Sequence, residues 1–251
     1  IMLGLLLPCI AIILIDLMNN KVIDKKDIEK ATRAPILGFI SHSAYGSELP
    51  VVEKPGSTMA ESFRSIRTSL KYFIPDDKPA VIAVTSTISG EGKTFVAVNL
   101  ASIISMLGKK TLLIGLDLRK PRIHKILKLS NEVGMSTFLS GNSKFDEVIK
   151  KTSVENLWFA TAGPIPPNPA ELIERDAMAE FVEKARKQFD YIIIDTPPSA
   201  VVTDALLLAG RADITLFVVR QRYTSKNTLN LIDEIYRNRE IKNPGVIVND
   251  I

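Results

Sequence analysis

The run Thr85-Ser86-Thr87-Ile88-Ser89-Gly90-Glu91-Gly92-Lys93-Thr94 holds the residue types that a phosphate-binding turn needs, and it leads straight into apolar Phe95, Val96, Val98 and Leu100. Gly90 and Gly92 let backbone N–H groups turn inward onto phosphate oxygens, and the start of the following helix adds its positive dipole end. Lys93 reaches β and γ phosphates, and Thr94 offers a hydroxyl to Mg²⁺. One position breaks the G-x-x-x-x-G-K-[ST] spacing, because the first glycine falls on Thr87. The nucleotide-binding set read from this run is Thr87, Ser89, Gly90, Glu91, Gly92, Lys93, Thr94 and Phe95.

Two apolar runs end in carboxylates: Ile114-Gly115-Leu116-Asp117 and Ile192-Ile193-Ile194-Asp195. Alone, each aspartate reads as a turn former at a strand end. Behind a phosphate loop and in this chain order, they read as a metal and catalytic pair. Magnesium takes oxygen ligands and keeps several waters, so Thr94, Asp117 and Asp195 suffice as its protein ligands. The catalytic set is Lys93, Asp117 and Asp195.

The elements that must position these groups alternate along the chain. Strand-like runs fall at Val81–Thr85, Thr111–Leu116, Leu157–Thr161, Tyr191–Ile194, Ile214–Val219 and Gly245–Val248. Helix-like stretches, among them Phe95–Leu107, Ala177–Gln188 and Ser225–Arg237, lie between most of them. Continuous apolar strands alternating with helices predict an α/β fold, a mainly parallel sheet covered on both faces. Ligands bind such sheets at the carboxyl ends of the strands, where both aspartates fall.

Composition narrows the function classes. With 46% apolar and 24% charged residues, 13 Gly and 14 Pro in 251 residues, the chain fits a globular domain and excludes collagen-like or wholly disordered classes. One cysteine, Cys9, and two histidines, His42 and His124, exclude a disulfide framework and argue against a zinc site. Lys and Arg number 32 against 28 Asp and Glu, a mixed surface that argues against a nucleic-acid partner.

The first residues differ from the rest. Ile1 to Ile15 is apolar apart from Gly4, Pro8 and Cys9, and Asp16 is the first charge. A spanning helix needs about 20 apolar residues, so 1–18 reads as a transmembrane helix fragment. Lys21, Lys25, Lys26, Lys30 and Arg33 follow it, which by the positive-inside rule places the downstream chain in the cytoplasm. Residues 19–50, with a short charged helical stretch around Asp24 to Ala34 and then Pro35, Gly38, Gly46 and Pro50, read as a cytoplasmic linker to a domain at 51–251.

Three blocks, Gly90 to Thr94, Asp117-Leu118-Arg119-Lys120-Pro121 and Asp195-Thr196-Pro197-Pro198, resemble the Walker A, A′ and B motifs of the bacterial protein-tyrosine kinase family. The resemblance extends to Ala162 to Leu172, to Glu61 to Arg67 and to Gly245 to Asn249, and covers roughly residues 51 to 251. The apolar run before it resembles the second membrane helix of polysaccharide co-polymerases. What this implies is a P-loop NTPase-type fold and an autokinase that transfers the γ-phosphoryl of ATP to tyrosine with Mg²⁺. It further implies control of surface-polysaccharide polymerisation and export, with the export machinery as partner. Asn249 would sit near the adenine. Glu61, Arg64 and Arg67 share a helix face, and in the family this spacing serves ring-like homo-oligomerisation.

The pattern departs from the family at three places. The A′ block usually has two acids, and the first is Gly115 here. The tyrosine-rich acceptor tail that the resemblance implies is not in this sequence, whose last tyrosine is Tyr236. Related ATPases that position chromosomes and division sites carry an extra lysine where this chain has Ile88, which weighs against that branch. Two alternatives remain: such an ATPase switch, or a nucleotide-bound scaffold without catalysis.

Overall fold

Seven consecutive buried residues, Ala80–Ser86, leave a strand with no face for water, which places it inside a sheet covered on both sides. It is β2 of eight, with β1 Ile36–Ile40, β3 Thr111–Gly115, β4 Ile149–Lys151, β5 Leu157–Ala160, β6 Tyr191–Asp195, β7 Ile214–Arg220 and β8 Pro244–Asn249. The computed structural model describes residues 20–42, 46–74, 78–198 and 210–251. The strand order is β1-β8-β7-β2-β6-β3-β5-β4, parallel throughout except for the antiparallel pair β4–β5. After β2 the chain builds one side of the sheet and later returns to its other side at β7. This reversal opens a crevice at the carboxyl end of β2.

Ten helices among the described residues cover the sheet: α1 Lys25–Ala31, α2 Pro50–Glu53, α3 Thr58–Leu70, α4 Lys93–Ser105, α5 Ile123–Ile126, α6 Met135–Leu139, α7 Phe145–Val148, α8 Pro169–Glu174, α9 Asp176–Arg186 and α10 Lys226–Asn238. Helix α3 is capped by the Ser57 hydroxyl, which accepts from Ala60 N at 3.2 Å. It buries Met59, Phe63, Ile66 and Leu70, one face at helical spacing. Helix α4 is apolar nearly all round and lies between α3 and the sheet. Phe63, Ile66, Leu100 and Ile103 share one core with Ile82 and Ile193. Met135 and Phe181 join Leu112 and Ile192 in a second core. At the β7–β8 side, Ile28, Leu229 and Ile232 pack on Phe217 and Val246. Each fully buried Phe, Leu or Ile contributes about 1.5–3 kcal/mol, so these layers are the main stabilising term.

The six strands expected from sequence all form, with ends shifted by a residue or two. The expected linker at 19–50 does not match the structure, because much of it is built into the domain. Asp24 and Asp27 form a capping box at the start of α1, and Asp27 pairs with Lys226 of α10 at 2.7 Å. Strand β1 extends the sheet by parallel pairing with β8, from Ile36 opposite Val246 to Ile40 opposite Asn249. Gly38, which read as part of the linker, is there for close packing: a Cβ at that position would stand 2.4 Å from Ile66 Cγ1 of α3. The apolar run at 1–18 lies outside the described residues; among those, no helix is long and apolar enough to cross a membrane.

Candidate active site

The turn between β2 and α4 starts from a strand held rigid on both edges. Gly90 and Gly92 adopt positive φ values of 92° and 95°, where other residues are strained. Gly92 is the N-cap of α4, and no side chain caps that end, so the first-turn N–H groups point to the crevice with their dipole. A Cβ on Gly92 would stand 2.2 Å from Asn249 Nδ2. Gly92→Ala is therefore expected to cost about 1–3 kcal/mol of stability and at least about tenfold in Mg-ATP affinity. Melting and a nucleotide titration check this, and wild-type affinity in the variant would show that the turn's shape is not what binds.

Lys93 leaves the turn buried, with Nζ 2.9 Å from Asp117 Oδ2 and 3.8 Å from Asp195 Oδ1. Asp195 is the last residue of β6, opposite Val84 of β2 and Gly115 of β3. Its Oδ2 accepts from Thr94 Oγ1 at 2.9 Å. Asp117 lies just beyond β3, where its Oδ1 accepts from Lys120 N at 3.0 Å and closes a local turn. All four expected catalytic and metal residues thus meet at the carboxyl ends of β2, β3 and β6. The acid missing at position 115 leaves two carboxylates, and the Phe159 ring stands 3.4 Å from where a Cβ there would be.

The charges are set by burial and by one another. Burial pushes the Asp195 carboxyl up to about 6, although Lys93 and Thr94 pull it down; the Asp117 charge adds to the rise. Burial also opposes the Lys93 ammonium, but Asp195 and Asp117 outweigh it and hold the group above its ordinary range. Asp195 Oδ1 is buried without a hydrogen-bond partner among the described residues. That orphaned oxygen, the Thr94 hydroxyl and Asp117 are hard oxygen donors of the kind Mg²⁺ prefers, and their small number suits an ion that keeps several waters.

The remaining expected contacts divide. Gly90, Gly92, Phe95 and Asn249 line a cavity of about 170 Å³ beside the turn, together with Arg220 and Asp250. Phe95 also packs on Phe63, ring centres 6.0 Å apart, and Asn249 Nδ2 donates to Glu91 O at 2.9 Å. Ser89 is exposed on the turn, and its carbonyl accepts from Tyr223 Oη at 2.9 Å. Thr87 and Glu91 are fully buried, and their side chains bond each other rather than facing the crevice. On α3, Arg64 pairs with exposed Glu61 and donates to Pro55 O at 2.7 Å. Arg67 turns inward, donating to Ile103 O at 3.2 Å. Sequence reading missed Arg220, Tyr223 and Thr224, which touch the turn from about 130 positions away in the chain. No spacing signal links residues so far apart.

A glycine-shaped turn between a central strand and an uncapped helix, with a lysine and two strand-end aspartates facing it, defines a P-loop nucleotide-binding protein. The sequence matches the AAA domain family over residues 79–247. It is 36% identical to the tyrosine-protein kinase YwqD of Bacillus subtilis (strain 168), over 78% of this chain and 83% of that protein. It is 34% identical to a putative tyrosine-protein kinase in the cps region of Klebsiella pneumoniae, over 81% of this chain but only 28% of that longer protein. The fold superposes on the chimerical protein CapA2B2 with a TM-score of 0.82 at 36% identity, covering 91% and 99% of the two chains. The chain belongs to the bacterial tyrosine-protein kinase family.

Proposed function

We propose that this chain transfers the γ-phosphoryl group of ATP to tyrosine hydroxyls, on copies of itself first, in support of surface-polysaccharide polymerisation and export. The observation that carries the reading is the meeting of Lys93, Thr94, Asp117 and Asp195 at one crevice mouth. Lys93 would leave the carboxylates to neutralise the β and γ phosphates, while the amides of the turn hold the phosphate oxygens. Thr94 and Asp195 would hold Mg²⁺, which supplies charge neutralisation on the transferring group. Asp117, less buried than Asp195, would orient the incoming phenol and accept its proton as the tyrosine oxygen bonds phosphorus and ADP leaves. Labelled ATP tests this: label on tyrosine supports it, whereas phosphate release alone would favour the ATPase switch.

The name of the Klebsiella pneumoniae relative, in a cps region, supports the link to polysaccharide export. The apolar stretch 1–18 and the lysines after it support attachment to the inner membrane, with the kinase domain in the cytoplasm. Self-association through α3 is part of the proposal. Arg64 and Arg67 both donate to carbonyls of their own subunit, but Arg64 lies beside exposed Glu61 and pairs with it, so this pair is the part of the face proposed to meet a neighbour. Glu61→Ala with Arg64→Ala is expected to leave a folded monomer by light scattering, and an unchanged oligomer mass would sink this role.

A further inference from the structure

The phosphate-binding turn is gripped from outside along three successive carbonyls. Tyr223 Oη donates to Ser89 O at 2.9 Å, Arg220 Nη1 to Gly90 O at 3.2 Å, and Asn249 Nδ2 to Glu91 O at 2.9 Å. In a trans peptide, C=O and N–H point in opposite directions. Holding those three oxygens outward therefore aims the N–H groups of Gly90, Glu91 and Gly92 the other way, to the side where phosphate binds.

Beneath this grip lies a buried polar knot. The Glu91 carboxylate accepts from Thr87 Oγ1 at 2.9 and 3.1 Å, from Ile88 N at 2.8 Å and from Thr224 Oγ1. Thr224 is fully buried, and its hydroxyl oxygen also accepts from Arg220 N at 2.9 Å. Its proton is therefore committed to Glu91, and its lone pair to the backbone of the residue that grips Gly90. The turn after β7 is in turn stitched to the chain's early residues, by Val22 N to Thr224 O at 2.9 Å and Arg222 N to Val22 O at 2.7 Å.

We propose that Glu91 and Thr224 are positioning residues for the phosphate loop: their side chains touch no nucleotide, but lock the loop to the Arg220–Thr224 turn so that its amides converge on phosphate. This rests on the nucleotide reading of the site. On this reading Glu91 keeps its expected place at the nucleotide through its backbone N–H, while its carboxylate braces the loop. Three donors meet the Glu91 carboxyl, and a glutamine there would set its N–H group against the Ile88 N–H or the committed Thr224 O–H.

The test is Mg-ADP affinity by calorimetry on the full chain, well below its melting temperature. Thr224→Val, which keeps shape but removes the hydroxyl, is expected to weaken binding about tenfold. Thr224→Ser, which keeps the hydroxyl, is expected to bind within about twofold of wild type. Glu91→Gln should weaken binding by at least as much as Thr224→Val, and adding Thr224→Val to it should cost little more. A purely structural role would lower the melting temperature without separating Val from Ser in affinity. Wild-type affinity in Thr224→Val, a serine variant as weak as valine, or additive losses in the double variant would overturn the proposal. No ADP binding by the wild-type chain would overturn the nucleotide site itself, and the brace with it. Because the readout is ADP affinity, the brace stands or falls independently of whether tyrosine is the phosphate acceptor.

Discussion

Lys93→Ala is expected to lower phosphotransfer by about 10²–10³-fold, the size of effect seen when one preorganised group that stabilises transition-state charge is removed. The same change should destabilise the ligand-free domain in a pH-dependent way. In the wild type, the ammonium sits between two carboxylates, 2.9 Å from Asp117 and 3.8 Å from Asp195. Without it, Asp195 loses the cation that offsets its buried charge, and its carboxyl rises beyond the value of about 6 it already has. Below that range the group takes up a proton and the penalty vanishes; above it, the penalty is complete. Melting curves at pH 5 and pH 8 should therefore show a small loss at the lower pH and a larger one at the higher. Equal losses at both would mean that the lysine stabilises by packing rather than by charge.

Asp195→Asn separates the metal role from stability. The asparagine oxygen can still accept from the Thr94 hydroxyl, which now donates at 2.9 Å, but the ionised oxygen beside it is gone. Loss of the charged ligand is expected to weaken Mg²⁺ binding and phosphotransfer by about 10²-fold or more. Stability should move the other way. The wild-type carboxyl has an ordinary value of 3.8 and a folded value of about 6. Between those values the native state holds more protons than the unfolded state, so wild-type stability falls as pH rises through the window and stays low above it. The asparagine variant lacks that slope, and without Mg²⁺ at neutral pH it should melt at or above the wild type. The same titration predicts that wild-type Mg²⁺ affinity weakens as pH drops through about 6, where the ligand becomes protonated. A variant that melts much lower at neutral pH, with unchanged Mg²⁺ affinity, would show a structural hydrogen bond and no metal role.

Much of the site was legible in the sequence because its parts obey local rules. Glycines before a lysine between strand and helix, and aspartates ending apolar runs, each carry their meaning within a few residues, and the structure brings Lys93, Thr94, Asp117 and Asp195 together. The central strands were legible for a related reason: strands buried on both faces read as unbroken apolar runs. The edge of the sheet was not. β1 is five residues long with a glycine in it, and only its contact with Ile66 of α3 explains why that glycine belongs there. Thr87 and Glu91 sit in the motif and so read as ligand contacts. Their side chains instead bond each other, and Glu91 is held by Thr224, which the chain reaches only after five further strands. Arg67 shows the same limit: spacing put it on a face with Glu61 and Arg64, whereas its guanidinium has turned in to the carbonyl of Ile103.

The central claim is that tyrosine receives the phosphoryl group. The most direct test is to incubate the chain and a tyrosine-rich acceptor peptide with γ-labelled ATP and Mg²⁺, beside the Lys93→Ala variant, and to read the modified residues by mass spectrometry. Phosphate is expected on tyrosine with the wild type and is expected to be lost with the variant. Inorganic phosphate released with no modified tyrosine would contradict it, as would tyrosine phosphorylation undiminished without Lys93.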